Sequence, residues 1–481
     1  MDRDSFFPTT QQARKFARER DPYPLFSDEV LSAINSSDFI QDENPKKQKF
    51  ERQNIDPSNS TLLNMVETTI NLCTNFGELG GIRTLDKATE SDSVQVLGIV
   101  NQKKVFLKIF NDQSLKKDNS LLVEAAIYFC VIAKLIPKHC PFFIQPIAYQ
   151  ECDGFLNRLA RESGNPLSTF NKTQIEKILS VFDDQTAKTL AKQDVPNYRQ
   201  FIHSKLERSY IIINEQLNIG GPLLPYEVDM TSWFSFPQSL ESYKQVLFQL
   251  IWTLWCMKII RLRHNDLHTS NAYVRTLEKP KRYSFFYYYD GNFYDISFES
   301  KYEVLVFDFD RATIVGLTSN SGLQGLCNGG YGCESPNFGF DFAQVFCYIR
   351  RQVGKVYTVK FGDKAVYETF SFLTQFSIIQ GEDLKNVFAK FCTLPPKNIL
   401  TQFPRLAKLE YVGNELKIEY DYGNILSKDP YFESLRVKKQ KLFDESVTFT
   451  LPDEAVKKDI EDSIRTNFSS ILYRGSDLQT I

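Results

Sequence analysis

Two side chains able to do acid–base and metal chemistry share one short loop. In His264-Asn265-Asp266-Leu267-His268-Thr269-Ser270-Asn271, a carboxylate and an amide oxygen stand in the pattern Asp-x-x-x-x-Asn. An apolar run beginning at Val304 then closes on Asp308-Phe309-Asp310, which adds carboxylates at the end of an expected strand. Together these groups supply what phosphoryl transfer to a hydroxyl requires. One carboxylate, Asp266, accepts or orients the proton of the attacking group. The Asn271 amide and the Asp308 carboxylate hold a divalent cation that neutralises phosphate charge.

Side chains so far apart in sequence meet only if the intervening elements fold around them. Strand patterns occupy 82–85, 93–100 and 104–110, separated by polar or glycine-containing turns, and predict a small antiparallel sheet. Residues 119–135 read as a helix, with Leu122, Ala125, Ala126, Phe129 and Ile132 at helical spacing and Pro137 just beyond the end. An apolar strand is expected over 142–149, a polar, partly helical insertion over about 153–208, and a buried strand over 209–213 leading into the connector 214–221. A helix is expected from Ser239 to Ile259, ending where the His264 loop begins. Two aromatic strands, 283–289 and 293–298, flank Asp290-Gly291-Asn292, a strong hairpin signal. Beyond Asp341 the chain reads as helices with short strands to about Leu435.

Composition limits the alternatives. The 481 residues are 42% hydrophobic and 14% aromatic, enough for more than one packed unit. The net charge of −2 and pI near 6.2 give no global basic field, so no specific nucleic-acid binding is predicted. Nine cysteines without a C-x-x-C pair suggest free thiols in a reducing compartment. Cys327 and Cys333 lack the partner doublet that a zinc site needs. The charged start Met1-Asp2-Arg3-Asp4 leads into no apolar signal region, and the densest apolar stretch, 246–260, is too short to span a bilayer. No transmembrane segment is therefore expected. Residues 1–60, with the basic cluster Lys46-Lys47-Gln48-Lys49, read as a partly disordered or peripheral extension, and 436–481 as a C-terminal tail or a peripheral helix.

A sheet region, a connector and a helical region carrying HNDLHTSN and then FDFD resemble the protein kinase-like superfamily. The phrases HNDLHTSN and FDFDRA look most like the divergent serine/threonine protein kinases of large nucleocytoplasmic DNA viruses. The resemblance spans about residues 80–350. It implies an α+β bilobal fold with a small antiparallel-sheet N-lobe (61–217, with the insertion 153–208) and a mainly helical C-lobe (218–435, with a hairpin insertion 278–302). By the same resemblance, Asp266 is the catalytic carboxylate, and Asn271 and Asp308 are ligands of Mg2+. Lys108 anchors the phosphates of ATP and pairs with Glu124 on the following helix, while 215–217, from Glu215 to Leu217, forms the hinge that meets the adenine edge. Asp341 resembles the helix-start aspartate that braces the catalytic loop, and reads equally as an N-terminal cap.

Several positions depart from the family pattern. No G-x-G-x-x-G precedes Lys108; the tip reads Asp86-Lys87-Ala88-Thr89-Glu90-Ser91. Phe106 shares the Lys108 face, His268 replaces the catalytic-loop lysine, Asp310 replaces the glycine of D-F-G, and Asn265 replaces the arginine that receives an activation-loop phosphate. The resemblance implies an ATP- and Mg2+-dependent Ser/Thr protein kinase acting on viral or host proteins, virion proteins among them, in the virion or host cytoplasm. A small-molecule phosphotransferase of aminoglycoside or choline type, suggested by Asp266-Leu267-His268, and a non-catalytic pseudokinase or virion structural protein are the alternatives.

Overall fold

Strand alternation along Lys103–Asn111 decides the first layer: Val105, Leu107 and Ile109 share one face and are sealed from solvent. The computed structural model describes residues 79–84, 94–100, 103–111, 119–153, 208–219, 225–323, 337–360, 362–376, 408–412, 415–437 and 447–472. The strands β1 (Leu79–Thr84), β2 (Val94–Val100) and β3 (Lys103–Asn111) run antiparallel. After them comes α1, which opens as Ser120–Ala126, passes through a π-helical stretch Ile127–Ile132 and closes as Ala133–Leu135. β4 (Pro146–Asp153) and β5 (Arg208–Glu215) complete a five-stranded antiparallel sheet in the order β1-β2-β3-β5-β4. The expected insertion between β4 and β5, the tip 86–91 and the extension 1–60 lie outside the described residues.

The strand expected over 142–149 begins later than its apolar pattern suggests. Phe142, Phe143 and Ile144 are buried, but their backbone pairs elsewhere: Val306 N donates to Phe142 O (3.0 Å) and Ile144 N to Val306 O (3.1 Å). This run therefore links the first sheet to the residues just before Asp308.

The region after 218 is less purely helical than expected. β6 (Tyr226–Asp229) leads into α2 (Met230–Phe234), whose Asp229 cap accepts from Ser232 N. α3 (Leu240–Ile259) starts at the Ser239 cap as the sequence predicts, and is buried almost all round, as an apolar helix inside a packed core should be. β7 (Leu262–Arg263) follows, and then the long hairpin β8 (Ala272–Tyr289) and β9 (Asn292–Val306). Its turn, Asp290-Gly291, has positive φ at both residues (48° and 76°), the geometry that makes Asp-Gly a tight hairpin turn. Tyr283, Phe285 and Tyr287 are buried along β8, with Phe285 packed against Phe248 and Trp252 of α3. The alternate residues Phe286, Tyr288 and Phe293 are exposed, so the aromatic strands have one core face and one solvent face.

Downstream are β10 (Thr313–Ile314), pairing with β7, then α4 (Gly339–Val359) and α5 (Lys364–Thr374). The strand pair β11 (Lys408–Val412) and β12 (Glu415–Glu419) precedes α6 (Tyr422–Lys428) and α7 (Glu433–Val437). The segment expected as a tail or a peripheral helix is structured over 447–472. β13 (Val447–Thr450) pairs parallel with β8, and α8 (Glu454–Asn467) returns to α1. Cys130, Cys140, Cys256 and Cys347 are free, but Cys152 is disulfide-bonded, contrary to the expectation of thiols throughout. Among the described residues no helix is long and apolar enough to cross a membrane.

Candidate active site

On β3, Lys108 faces opposite to Val105 and Leu107 and is buried (4% exposed) beneath α1. Its Nζ lies 2.6 Å from Glu124 Oε2 and 3.4 Å from Asp308 Oδ1. Burial opposes the ammonium charge, but Glu124, Asp308 and Asp310 outweigh it and hold the lysine well above its ordinary value, so the proton stays on nitrogen. Burial pushes Glu124 up to about 8 against the pull of the same ammonium. Lys108 thus touches both Glu124, which the resemblance pairs with it, and Asp308, which was expected only as a metal ligand. Phe106 is half-buried one turn of the pleat away.

The loop carrying Asp266 is held by Asp341. That residue lies in the first turn of α4, whose N-cap is Phe338, so the capping alternative does not apply. Instead, its two carboxylate oxygens accept the backbone amides of His264 (2.8 Å) and Asn265 (2.9 Å). Asn265 is thereby kept at φ 64°, a left-handed conformation unusual for a non-glycine residue. His264 Nε2 donates to Phe307 O (2.9 Å), which pins the loop to the strand end before Asp308. Asn271 Nδ2 donates to Asp266 O (2.9 Å), committing the amide nitrogen and leaving its oxygen to serve as a ligand.

At Asp266 itself, Oδ2 accepts from Arg311 Nη1 at 3.0 Å and lies 3.9 Å from His268 Nε2. His268 Nδ1 accepts from Ser270 N, and burial lowers the ring's pKa, so His268 is neutral at pH 7 and adds no charge to the loop. Arg311 is the cation beside the candidate proton acceptor.

Asp308 is also left-handed (φ 66°), and its amide donates to the Tyr128 hydroxyl (3.1 Å) within the π-helical stretch of α1. Phe309, fully buried, packs against Tyr128, Phe143 and His264. Burial works against ionisation of Asp308, but the Lys108 ammonium beside it holds its carboxyl below the usual range. Burial and the Asp308 charge push Asp310 up. Among the described residues no cluster of three His, Cys, Asp or Glu could hold a metal unaided. An ionised Asp308 whose side chain is 36% exposed, with the Asn271 amide oxygen, fits an Mg2+ ion that completes its shell with phosphate oxygens and water.

Glu215 lies in the expected connector, and its side chain braces it. Its amide donates to Gln145 O (3.0 Å), its Oε1 accepts from Gln145 N (3.1 Å), and its Oε2 accepts from Arg275 Nη2 (2.8 Å). Arg275 also binds Glu227 Oε1 (2.6 Å) and Glu303 Oε2 (3.2 Å), and Glu303 Oε1 accepts from Tyr283 (2.9 Å) and Lys281 (3.4 Å). This buried cluster ties the connector to the β6-β8-β9 sheet. Gln216 N and Asn218 N are likewise engaged, with Lys104 O and Glu227 Oε2. Leu217, half-buried against the core, retains an amide with no partner among the described residues.

Sequence reasoning missed Arg311, Tyr128 and Arg275. Arg311 directly follows Asp310, and Tyr128 stands one helical turn after Glu124, so both carried a usable signal. Arg275 carried none, because its three carboxylates come from distant strands.

No protein-family model and no curated protein sequence matches the chain. Among solved structures, the crystal structure of a Plasmodium kinase domain is similar over 68% of this chain and 77% of that one, at 14% identity and a TM-score of 0.30. A score that low carries no argument, and the functional reading rests on the site.

Proposed function

We propose that the chain is a phosphotransferase that uses ATP and Mg2+ to phosphorylate Ser/Thr hydroxyls of proteins. The observation that supports this most is the convergence of Lys108, Glu124 and Asp308 from three separate elements, next to a loop that presents Asp266 and Asn271. Burying a lysine between two carboxylates costs desolvation, and ionisable groups perturbed in this way cluster at functional sites.

In this reading the Lys108 ammonium, oriented by Glu124, binds phosphate oxygens. Asp308 and Asn271 hold the cation, which when bound neutralises phosphate charge and orients the terminal phosphoryl group. Asp266 takes or orients the hydroxyl proton, and the Leu217 amide meets the adenine edge. Glu215 contributes by bracing the connector. Protein substrates of viral or host origin, including virion proteins, and a site of action in the virion or host cytoplasm, follow from the motif resemblance.

The test is transfer of the γ-phosphoryl label from ATP by the full chain in Mg2+, offered protein extract and, separately, hydroxylated and amino small molecules. Label on protein seryl or threonyl groups is expected. Label confined to small molecules favours the Asp-Leu-His alternative, and no transfer to either favours a binding protein.

A further inference from the structure

The helix that carries Glu124 is gripped at both ends by parts of the chain that the proposed chemistry does not use. At its start, Asn119 is bonded repeatedly to the segment that follows Asp308. Asn119 N donates to Ser321 Oγ (2.9 Å), Asn119 Nδ2 to Ser319 O (2.8 Å), and Ser321 N and Oγ both donate to Asn119 Oδ1 (2.8 and 2.9 Å). Asn320 Nδ2 in turn donates to Asp310 O (2.8 Å) and Ala312 O (3.0 Å), so the clasp reaches back to the carboxylate motif.

The C-terminal segment holds the remainder. Thr450 N donates to Lys138 O (3.0 Å), and His139 Nδ1 donates to Thr450 O (2.8 Å), just past the end of α1. α8 lies against α1 through buried Ile460 and Ile464 and through Lys134 with Asp459 (2.5 Å). Phe468 packs on Tyr149 of β4 at 5.4 Å. The segment then ends on the clasp itself: Ser319 N donates to Ile471 O (3.0 Å), and Thr318 bridges Leu472.

We infer that residues 447–472 are a built-in positioning clamp, which with Asn119 and Ser321 fixes α1 and the post-Asp308 segment as one unit, so that Glu124 and Asp308 both reach Lys108. A lysine with two carboxylate partners from different elements keeps both only if those elements cannot move independently. The clasp uses neutral hydrogen bonds, and Asn265 stands where a phosphate-receiving arginine would be. The pairing is therefore available without a modification to order the segment. Asn119 is a positioning residue, acting through Glu124.

This inference rests on the phosphoryl-transfer reading, and its test separates the two. Full-length Asn119→Ala and Ile464→Ala, the second weakening α8 alone, are compared with wild type by amide hydrogen exchange and by ATP turnover. Faster exchange in α1 and 318–323, joined by α8 itself in Ile464→Ala, with α4 unchanged, is expected. Turnover should fall roughly 10- to 100-fold, as when a reacting group is displaced slightly. Adding either substitution to Glu124→Gln should lower the rate by clearly less than it does in wild type, because the Glu124 contact that the clamp secures is already lost. Unchanged exchange in α1, a uniform rise over the whole chain, or effects that multiply with Glu124→Gln would overturn the clamp. If the wild type transfers no phosphate, the functional reading fails, and the exchange pattern still decides whether the clamp exists.

Discussion

Asp266→Asn is expected to lower the rate of phosphoryl transfer about 10²- to 10⁴-fold, the range in which a positioned proton acceptor contributes. Initial rates at saturating ATP measure it. The substitution keeps shape, and its ion pair with Arg311 joins side chains that are 21% and 39% exposed. Pairs with that access to water contribute about 0–1 kcal/mol, so stability should barely change. ATP binding should persist too, because Lys108 and Asp308 are untouched. A variant within tenfold of wild type would show that Asp266 does not handle the proton.

The largest effect on stability is expected at Arg275. Burial works against its charge, yet Glu215, Glu227 and Glu303 hold the guanidinium above its ordinary value. Arg275→Met would leave those carboxylates around an apolar side chain, with Lys281 and the Tyr283 hydroxyl as the remaining partners of Glu303. Removing one member of a buried ionic group costs about 3–5 kcal/mol, mostly from the charge left behind, and the denaturant midpoint should fall accordingly. Adding Glu227→Gln and Glu303→Gln should recover much of the loss. The pH dependence has a definite sign. Although burial opposes it, Lys281, Arg275 and the Tyr283 hydroxyl hold Glu303 below the usual range. Its stabilisation is therefore present above the unfolded carboxylate value and lost as pH falls through the folded one. That acid limb should shrink in Glu303→Gln.

What the sequence made legible is local in origin. The β2–β3 register, the helix behind Glu124, the Ser239 cap and the Asp-Gly turn each follow from residues within a few positions of one another. Lys108, Glu124 and Asp308 could be placed because two motifs in order implied a frame, and the contacts agree with that placement. The part played by the Glu215 side chain was not legible for the opposite reason. Its carboxylate is claimed by an arginine on β8, a pairing that no periodicity encodes. The strand over 142–149 was displaced because an apolar run says that a segment is buried but not which edge it pairs with. The C-terminal segment was legible as a tail or a peripheral helix but not in its packing: its charged residues face solvent, while Ile460, Ile464 and Phe468 supply the buried stripe.

The most direct test of the account is equilibrium binding of ATP by the full chain with and without Mg2+, in wild type, Lys108→Ala and Asp308→Asn. The account predicts Mg2+-dependent binding by wild type, strong weakening in Lys108→Ala, and loss of the Mg2+ dependence in Asp308→Asn. Binding that ignores Mg2+ and both substitutions, or no binding by wild type, would contradict it.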